Sequence, residues 1–585
     1  MEAEAAPLEL ARRALERVAA EGDRAVVDET VAALIVRLHA GVDQIALRDT
    51  LEATFTLCRK LYSHASSAAA VPLARAALVA ARTAGDPTLM RRAATACGVL
   101  LGDTGDTVGA MECYIDALRL AAAAEDREKM SGLWGNMGAT ASVAGSFELA
   151  ARCYSRALAL VEKDEGPVFS RFAACANLAS ACYKLGRLDE GLRYGERALL
   201  EMTPEICARD PYNTILLRRN LVRLFVASGR MAEARVHVEA AAREAFGGPP
   251  RMRIAAETAR AVYEVALGQN DIALTRLDNA IAEARTAPAA LQDALICAIR
   301  CEEASGNAAR ALLRLEELSD HVYRSNIEKA REHIRLAGMQ DIEHFDGVQD
   351  HEQARARLIS QLHPPHQPEG WKALQRLGVS AALPIDGTGW HGVRVGALTR
   401  ALAQAVGTPA VQAREIGLAA ELHDIGMTAV PAVILAKPGP LNGSERLVVQ
   451  RHAQAGAEML AEGRHPRMLL AQDIARYHHA RFDGTGHPAR VGGEFIPAAA
   501  RMCAVADAYD MMVCGFGGRK PVSMGEALDE LRRHAGGQFD PDLVECFDDV
   551  IRSEAGGRGM DLSSNTGMED FKELVLSLKE DRGFA

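Results

Sequence analysis

The chain of 585 residues contains no CxxC pair, and its twelve cysteines are scattered, nine of them before residue 302. That pattern makes structural zinc a poor reading and fits reduced core thiols in a cytosol rather than a disulfide framework. Nowhere do about 18 apolar residues run without a charge, so no helix is expected to span a bilayer. The N-terminus, MEAEAAPLELARRALERVAAEGD, lacks a basic flank followed by an apolar run. No leader is expected, and the location expected is cytoplasmic. An excess of positive charge is missing too: 67 Lys and Arg stand against 78 Asp and Glu, a net charge of -11. Such a surface repels a polyanion, which excludes polymeric nucleic acid as a partner but leaves room for a small anion at a local Arg cluster. With 49% apolar and 25% charged residues, the composition shows none of the biases of disordered, collagen-like or coiled-coil chains. The length calls for two or more domains.

What the first half does contain is a repeat. Gly105, Gly145, Gly186, Gly229, Gly268 and Gly306 follow one another at steps of 40, 41, 43, 39 and 38 residues. Five positions after each glycine stands Ala110, Ala150, Gly191, Ala234, Ala273 or Ala311, and seven further come Ala117, Ala157, Ala198, Ala241, Ala280 and Leu318. A helical pattern precedes each glycine and another follows it. The glycine turns the chain, and the small residues let the paired helices approach closely. The pattern resembles the tetratricopeptide repeat, matched best by Ala150, Tyr154 and Ala157, although the unit exceeds that family's length of about 34 residues. Residues 70–320 are therefore expected to form a right-handed helical solenoid, with residues 1–69 as a capping region. Such an array presents a concave face for a protein or peptide and carries no chemistry of its own.

Beyond residue 320 the periodicity stops, and residues 321–369 read as a helical connector. Histidine use then shifts, with twelve of seventeen histidines at or after His344. His391 opens an amphipathic helix; His423 and Asp424 are adjacent; His452 follows a segment with Asn442 or Ser444 as N-cap; His478 and His479 are paired; Asp507 lies on a further helical stretch. Each alone is more often a satisfied polar side chain than a ligand. The order H, HD, H, HH, D, at steps of 32, 29, 26 and 28 residues, is a different matter. Imidazole and carboxylate without thiolate suit Fe, Mn or Zn rather than copper(I) or an iron–sulfur cluster.

With HDIG (423–426), LAKPGPL (435–441), HAQAGAEML (452–460), YHHARFDGTGHP (477–488), EFIPAAARMCAVADAYD (494–510) and GGQFDPDLVECF (536–547), residues 370–550 resemble an HD-GYP domain of the HD phosphohydrolases. The fold class is then all-α: a tetratricopeptide-like solenoid, an all-helical HD-GYP-type domain, and a tail, 551–585, with a short helix. The resemblance implies two divalent metals, Fe or Mn first, with Zn, Mg or Ni as alternatives. One would be held by His391, His423, Asp424 and Asp507, and Asp424 would bridge to a second held by His452, His478 and His479. His423 and Asp424 carry the catalytic role. The resemblance also implies hydrolysis of cyclic di-GMP to the linear dinucleotide or GMP. Arg394, Arg481 and Arg501, with Arg519 and Lys520 further out, are candidates for the phosphoryl oxygens, against an alternative role in helix packing. Glu421 and Asp510 are candidates for orienting ligand imidazoles, while His363, His366, His465 and His534 are expected to face solvent.

The sequence departs from that family in four places. Met427 replaces the phosphate-contacting lysine, Gly486-His487-Pro488 replaces GYP, and Gly515-Phe516-Gly517-Gly518-Arg519 replaces the usual DRPYR. Gly387 stands where trinuclear members carry Glu, which argues for two metals. Two alternatives to a cyclic di-GMP phosphodiesterase follow: a cyclic-dinucleotide-binding effector with little or no turnover, and a hydrolase of another cyclic dinucleotide or phosphorylated small molecule. Homodimerisation is left open.

Overall fold

The computed structural model describes residues 24–39, 44–63, 67–162, 167–284, 288–336, 369–437, 439–461, 466–488, 491–515 and 520–555. The fold is all-α, with no strand among the described residues beyond one isolated bridge between Ala535 and Phe539. The chain divides into two compact units, one of residues 121–322 and the other combining residues up to 120 with those from 323 onward. No described helix is long and apolar enough to cross a membrane.

In chain order the first helices are α1 (Arg24–His39), α2 (Gln44–Ser63), α3 (Ser67–Ala84), α4 (Pro87–Asp103) and α5 (Thr107–Ala123). Then come α6 (Arg127–Val143), α7 (Phe147–Glu162), α8 (Val168–Lys184), α9 (Leu188–Glu201), the short α10 (Pro204–Arg209), α11 (Pro211–Ala227), α12 (Met231–Ala245), α13 (Pro250–Ala266), α14 (Asn270–Ala284), α15 (Pro288–Ala304) and α16 (Ala308–Leu336). Many start on proline, whose fixed φ and missing N–H suit the first turn. Asp86 before α4 adds side-chain caps, accepting from the N–H of Thr88 at 2.8 Å and of Leu89 at 3.2 Å.

The repeat of residues 121–322 is made of antiparallel helix pairs. Its five repeat glycines, and Gly105 in the other unit, each end a helix with positive φ, between 72° and 91°, the left-handed cap that Gly adopts without strain. The small residues do what their phase suggests. At Gly138 on α6, an added Cβ would lie 2.5 Å from Cε1 of Tyr154 on α7, so the ring of the second helix fills the place of a side chain on the first. Ala150, Ala234 and Ala273 are fully buried at the corresponding pair contacts.

In the other unit the C-terminal helices are α17 (Glu369–Asp386), α18 (His391–Ala405), α19 (Ala410–Ala420), a 3-10 turn η1 (Ile425–Ala429), the short α20 (Ala432–Leu435), α21 (Gly443–Gln450), α22 (His452–Leu460), α23 (Pro466–Tyr477), a second 3-10 turn η2 (Gly493–Phe495), α24 (Ala498–Cys514), α25 (Met524–Arg533) and α26 (Pro541–Ala555). They enclose one apolar core, including Trp371, Val395, Leu402, Leu422, Val505 and Phe547. This unit also contains α1–α4, and Nε of Arg376 on α17 donates to the buried Asp106 at 3.3 Å. Residues 70–120, in phase with the repeat, thus pack in the unit of the C-terminal helices. The last part of α16 joins it as well. Tyr323 Oη donates to Glu458 at 2.6 Å, Asn326 Nδ2 donates to the Thr428 carbonyl at 2.5 Å, and Ile327 is buried with Ala429, Ala455 and Met459.

All twelve cysteines are free, eight of them buried. Burial pushes the Cys153 thiol up to about 12, so it stays protonated as an ordinary core side chain. Residues 337–368 of the connector, and 556–585 of the tail with its expected helix, lie outside the described residues.

Candidate metal centre

Two close backbone approaches assemble the site, and both require glycine. A Cβ on Gly426 would sit 2.0 Å from the His452 carbonyl oxygen and 2.4 Å from Gly456 N, so η1 and α22 touch backbone to backbone and Asp424 meets His452. Gly396 and Gly417 do the same for α18 and α19, with added Cβ atoms 2.6 and 2.8 Å from each other's carbonyl oxygens. That contact puts His391 beside His423, their ring centroids 5.1 Å apart. Asn442 caps α21 through a capping box with Glu445, and α21 leads into His452.

The seven His and Asp residues of the sequence pattern come together in two groups, Asp424 with His452, His478 and His479, and His391 with His423 and Asp507. Asp424 divides its two oxygens between them. Its Oδ2 faces His423 Nε2 at 3.5 Å and His391 Nε2 at 3.9 Å, while Oδ1 faces His452 Nε2 at 3.2 Å and His478 Nε2 at 3.5 Å. Asp507 Oδ1 lies 3.1 Å from His391 Nε2 and 3.8 Å from His423 Nε2. His391, His423, His452 and His478 are buried, whereas His479 is exposed at the edge of the cluster.

The far side of each buried ring explains why Nε2 points inward. His423 Nδ1 is 2.9 Å from the Ala420 carbonyl, His452 Nδ1 is 2.6 Å from that of Val449, and His478 Nδ1 is 2.9 Å from that of Ala475. A carbonyl only accepts, so Nδ1 carries the proton and Nε2 presents its lone pair. His391 Nδ1 instead meets the carboxylate of Asp510 at 2.8 Å. Asp510 is held in turn by Arg394, through Nε at 2.7 Å and Nη2 at 2.8 Å.

Residues of this kind fit divalent cations. His423 Nε2 is buried and has no hydrogen-bond partner, a costly arrangement for a polar atom unless a further group completes it. Protons take part of the cations' place: burial alone would lower the pKa of His391, yet Asp507 and Asp510 outweigh it and lift the imidazole to about 10. Burial raises Asp507, but His391 and His423 pull it down to about 2. Asp424 is likewise held well below the usual carboxylate range by its histidines, against burial. Cations entering such a site displace those protons.

The basic candidates have protein partners. Arg394 is taken by Asp510 and, at 3.4 Å, by Asp386. Arg501 donates to the Ile496 carbonyl at 3.0 Å and pairs with Asp540. Arg481 is about one-third exposed and is spread over Thr485, Gln538 and Asp483. Lys520 is exposed, and Arg519 lies outside the described residues. Glu421 accepts from Gln375 at 2.6 Å, and burial lifts its carboxyl to about 7. His534 bonds Glu530 at 3.1 Å and is partly exposed, whereas His363, His366 and His465 fall outside the described residues.

One participant escaped the sequence reading. Asp386 accepts from the N–H groups of Thr388 at 2.7 Å, Gly389 at 2.5 Å and His391 at 3.0 Å, fixing the turn that delivers His391. The signal was present in the turn-rich string DGTGWH, where an Asx turn precedes a helix start.

Residues 372–543 match the family model described as HD domain. Over the same region the chain is 43% identical across 160 residues to a cyclic di-GMP phosphodiesterase of Pseudomonas aeruginosa, covering 27% of this chain and 37% of that protein. It is 34% identical across 196 residues to a cyclic di-GMP phosphodiesterase of Thermotoga maritima, covering 31% and 53%. It is 36% identical across 160 residues to the 3'3'-cGAMP-specific phosphodiesterase 2 of Vibrio cholerae, covering 27% and 31%. The chain thus spans about a third to a half of the length of these relatives. The C-terminal segment is an HD domain, and tetratricopeptide-like helix pairs precede it.

Proposed function

We propose that the protein is a metal-dependent phosphodiesterase of cyclic dinucleotides, with cyclic di-GMP as substrate and a partner on the repeat region as regulator. The observation that carries this reading is the division of Asp424 between two histidine groups. Two divalent cations, Fe or Mn first, would be held by His391, His423, Asp424 and Asp507 on one side and by Asp424, His452, His478 and His479 on the other. When bound, such ions supply a hydroxide near neutral pH and stabilise charge on phosphoryl oxygens. The chain's own part is to aim and fix the ligands. The carbonyls of Ala420, Val449 and Ala475 set three of the five imidazoles, and Asp510 sets a fourth, that of His391.

Substrate contacts are fewer. Arg481 is the best placed of the arginines, being partly exposed and close to His479 in the chain, with Lys520 and Arg519 further out. Arg394 is committed to holding Asp510. At position 427 a half-buried methionine offers no charge. This favours a second reading, an effector that keeps metal and nucleotide but turns it over slowly. A cation on phosphate is worth about 1.5–3 kcal/mol, or roughly tenfold to more than hundredfold in affinity.

The test is hydrolysis of cyclic di-GMP and of 3'3'-cGAMP by the full chain purified without oxygen and loaded with Fe or Mn, beside a His423→Ala/Asp424→Ala variant and a metal assay. Product that vanishes in the variant supports the enzyme, and the faster dinucleotide names the substrate. Two metals bound, tight nucleotide binding and no product would turn the reading to the effector, with Met427→Lys as the next variant.

A further inference from the structure

The unit of residues 121–322 holds buried cations that its own carboxylates do not balance. The first helices of its successive pairs, α8, α11, α13 and α15, stack in a row. Arg219 on α11 nonetheless reaches Asp293 on α15, two helices along the row, at 2.5 Å. Arg300 on α15 donates to the hydroxyl of Tyr183 on α8, three helices away, at 2.9 Å. Side chains from helices so far apart in a row meet only on the inside of its curve, so these residues line the concave face.

Four residues beyond Arg219 on the same helix, Arg223 lies against Cys297 Sγ at 3.3 Å and 5.9 Å from the centre of the Tyr183 ring. It makes no ion pair among the described residues. Both arginines are only 8% exposed, and Nε of Arg219 is buried without a hydrogen-bond partner. Lys184 is a neighbour of this group: its Nζ donates to Ser142 Oγ at 3.2 Å and lies 4.6 Å from the centre of the Phe147 ring, within electrostatic reach of Arg219, Arg223 and Asp293. It is solvent-accessible, yet the protein around it, with Arg219 and Arg223, pulls its ammonium down to about 8. Burial raises Asp293, but the two arginines draw it down to about 2, so it stays ionised. Three cations therefore share one carboxylate, and Arg223, kept from water, has only a shared counter-charge in Asp293 and no ion pair of its own.

We infer that the concave face of the repeat unit is a binding site for an oxyanion, a carboxylate or phosphate group carried by its ligand, held by Arg219 and Arg223 beside Tyr183, with Lys184 nearby. A guanidinium fork pairs with either group through two parallel hydrogen bonds, and Arg219 Nε together with Arg223 offers the unused donors. The site deepens the reading of the repeat region as the place of a regulatory partner and rests on it, but not on turnover at the metal centre.

The experiment uses the full chain and three probes, a hexaglutamate peptide, pyrophosphate and GMP, followed by calorimetry and thermal unfolding at low and high salt. At least one probe is expected to bind and raise the Tm. Arg223→Met is expected to weaken that binding at least tenfold without lowering the Tm of the unliganded protein, because Asp293 keeps Arg219 as its ion-pair partner. Lys184→Met, at an accessible position, should weaken binding severalfold and gives a reading independent of core packing. Binding of hexaglutamate alone identifies an acidic peptide, binding of pyrophosphate or GMP alone identifies a phosphorylated ligand, and binding of both kinds supports a general oxyanion site. Absence of binding by all three probes, undiminished binding in both variants, or a Tm loss in unliganded Arg223→Met would overturn the inference. Hydrolysis of cyclic dinucleotides, measured in parallel, reports separately on the metal centre.

Discussion

Replacing Asp510 by Asn tests how the candidate centre is held together without touching a proposed metal ligand. Asp510 is only 2% exposed and serves two partners, His391 Nδ1 at 2.8 Å and Arg394 at 2.7 and 2.8 Å. Asparagine preserves the shape but removes the charge, and its one remaining acceptor cannot satisfy both the imidazole and the guanidinium fork. His391 then loses the partner that fixes its tautomer, and changes of this kind typically lower metal affinity about 10- to 100-fold. That corresponds to roughly 1.4–2.8 kcal/mol. Arg394 keeps only Asp386, at 3.4 Å, and a nearly buried cation left so poorly paired costs about 3 kcal/mol of stability at the upper end, less for its 18% exposure. The assay is a manganese titration by calorimetry, with thermal unfolding, for Asp510→Asn, Arg394→Met and the double variant. The double variant should recover much of the stability, since the stranded cation is gone, but little of the metal affinity, since His391 remains unguided. Wild-type manganese affinity in Asp510→Asn, within twofold, would refute the claim that this carboxylate orients His391.

Three further outcomes follow from the geometry. Gly426→Ala drives a methyl to 2.0 Å from the His452 carbonyl, so it should abolish manganese binding and lower the Tm by several degrees, a cost of about 1–3 kcal/mol or more; normal metal content in the variant would show that the η1–α22 contact does not set the site. Asn326→Ala leaves the Thr428 carbonyl without its donor at 2.5 Å, costing about 1 kcal/mol in unfolding and, because Thr428 shares η1 with the residues after Asp424, weakening manganese by a few fold in titration. His237, stacked on Phe225 at 5.5 Å, is held neutral: burial and Arg218 lower its pKa from 6.5 to about 4. Its contribution is therefore present above pH 6.5 and lost as pH falls towards 4, at most about 3 kcal/mol, so acid unfolding of His237→Gln should be less steep over that window than that of the wild type.

The repeat was legible because its signals are steric and local. A glycine that must take positive φ and a small residue under a neighbouring ring leave the same mark at every step, and Gly138 against Tyr154 shows the mechanism. The clustering of the seven His and Asp side chains was legible for a different reason, since His and Asp in that order have few other uses. What the sequence could not show was which cations are already spoken for. Arg394 and Arg501 look like phosphate contacts when read along the chain, but their carboxylates lie 116 and 39 residues away. Nor could phase along the chain show that residues 70–120 pack with the C-terminal helices, because Arg376 and Asp106 are 270 residues apart.

The ligands and the substrate contacts depend on different kinds of support, and this explains how one set stands while the other departs from the family pattern. Three of the four inward-pointing imidazoles are oriented by backbone carbonyls, which persist through any side-chain substitution that keeps the helices in place. The helices are kept in place by glycines at backbone contacts, Gly426 and the Gly396–Gly417 pair, where even a methyl does not fit. A phosphate contact has no such anchor. It depends on one flexible side chain, and Met427 in place of a lysine, or His487 in place of a tyrosine, changes it without disturbing the core. In a candidate centre supported this way, metal content and nucleotide preference should be separable by mutation. Changes at Met427 or Lys520 should alter nucleotide affinity and leave manganese affinity alone, whereas Gly426→Ala should remove both.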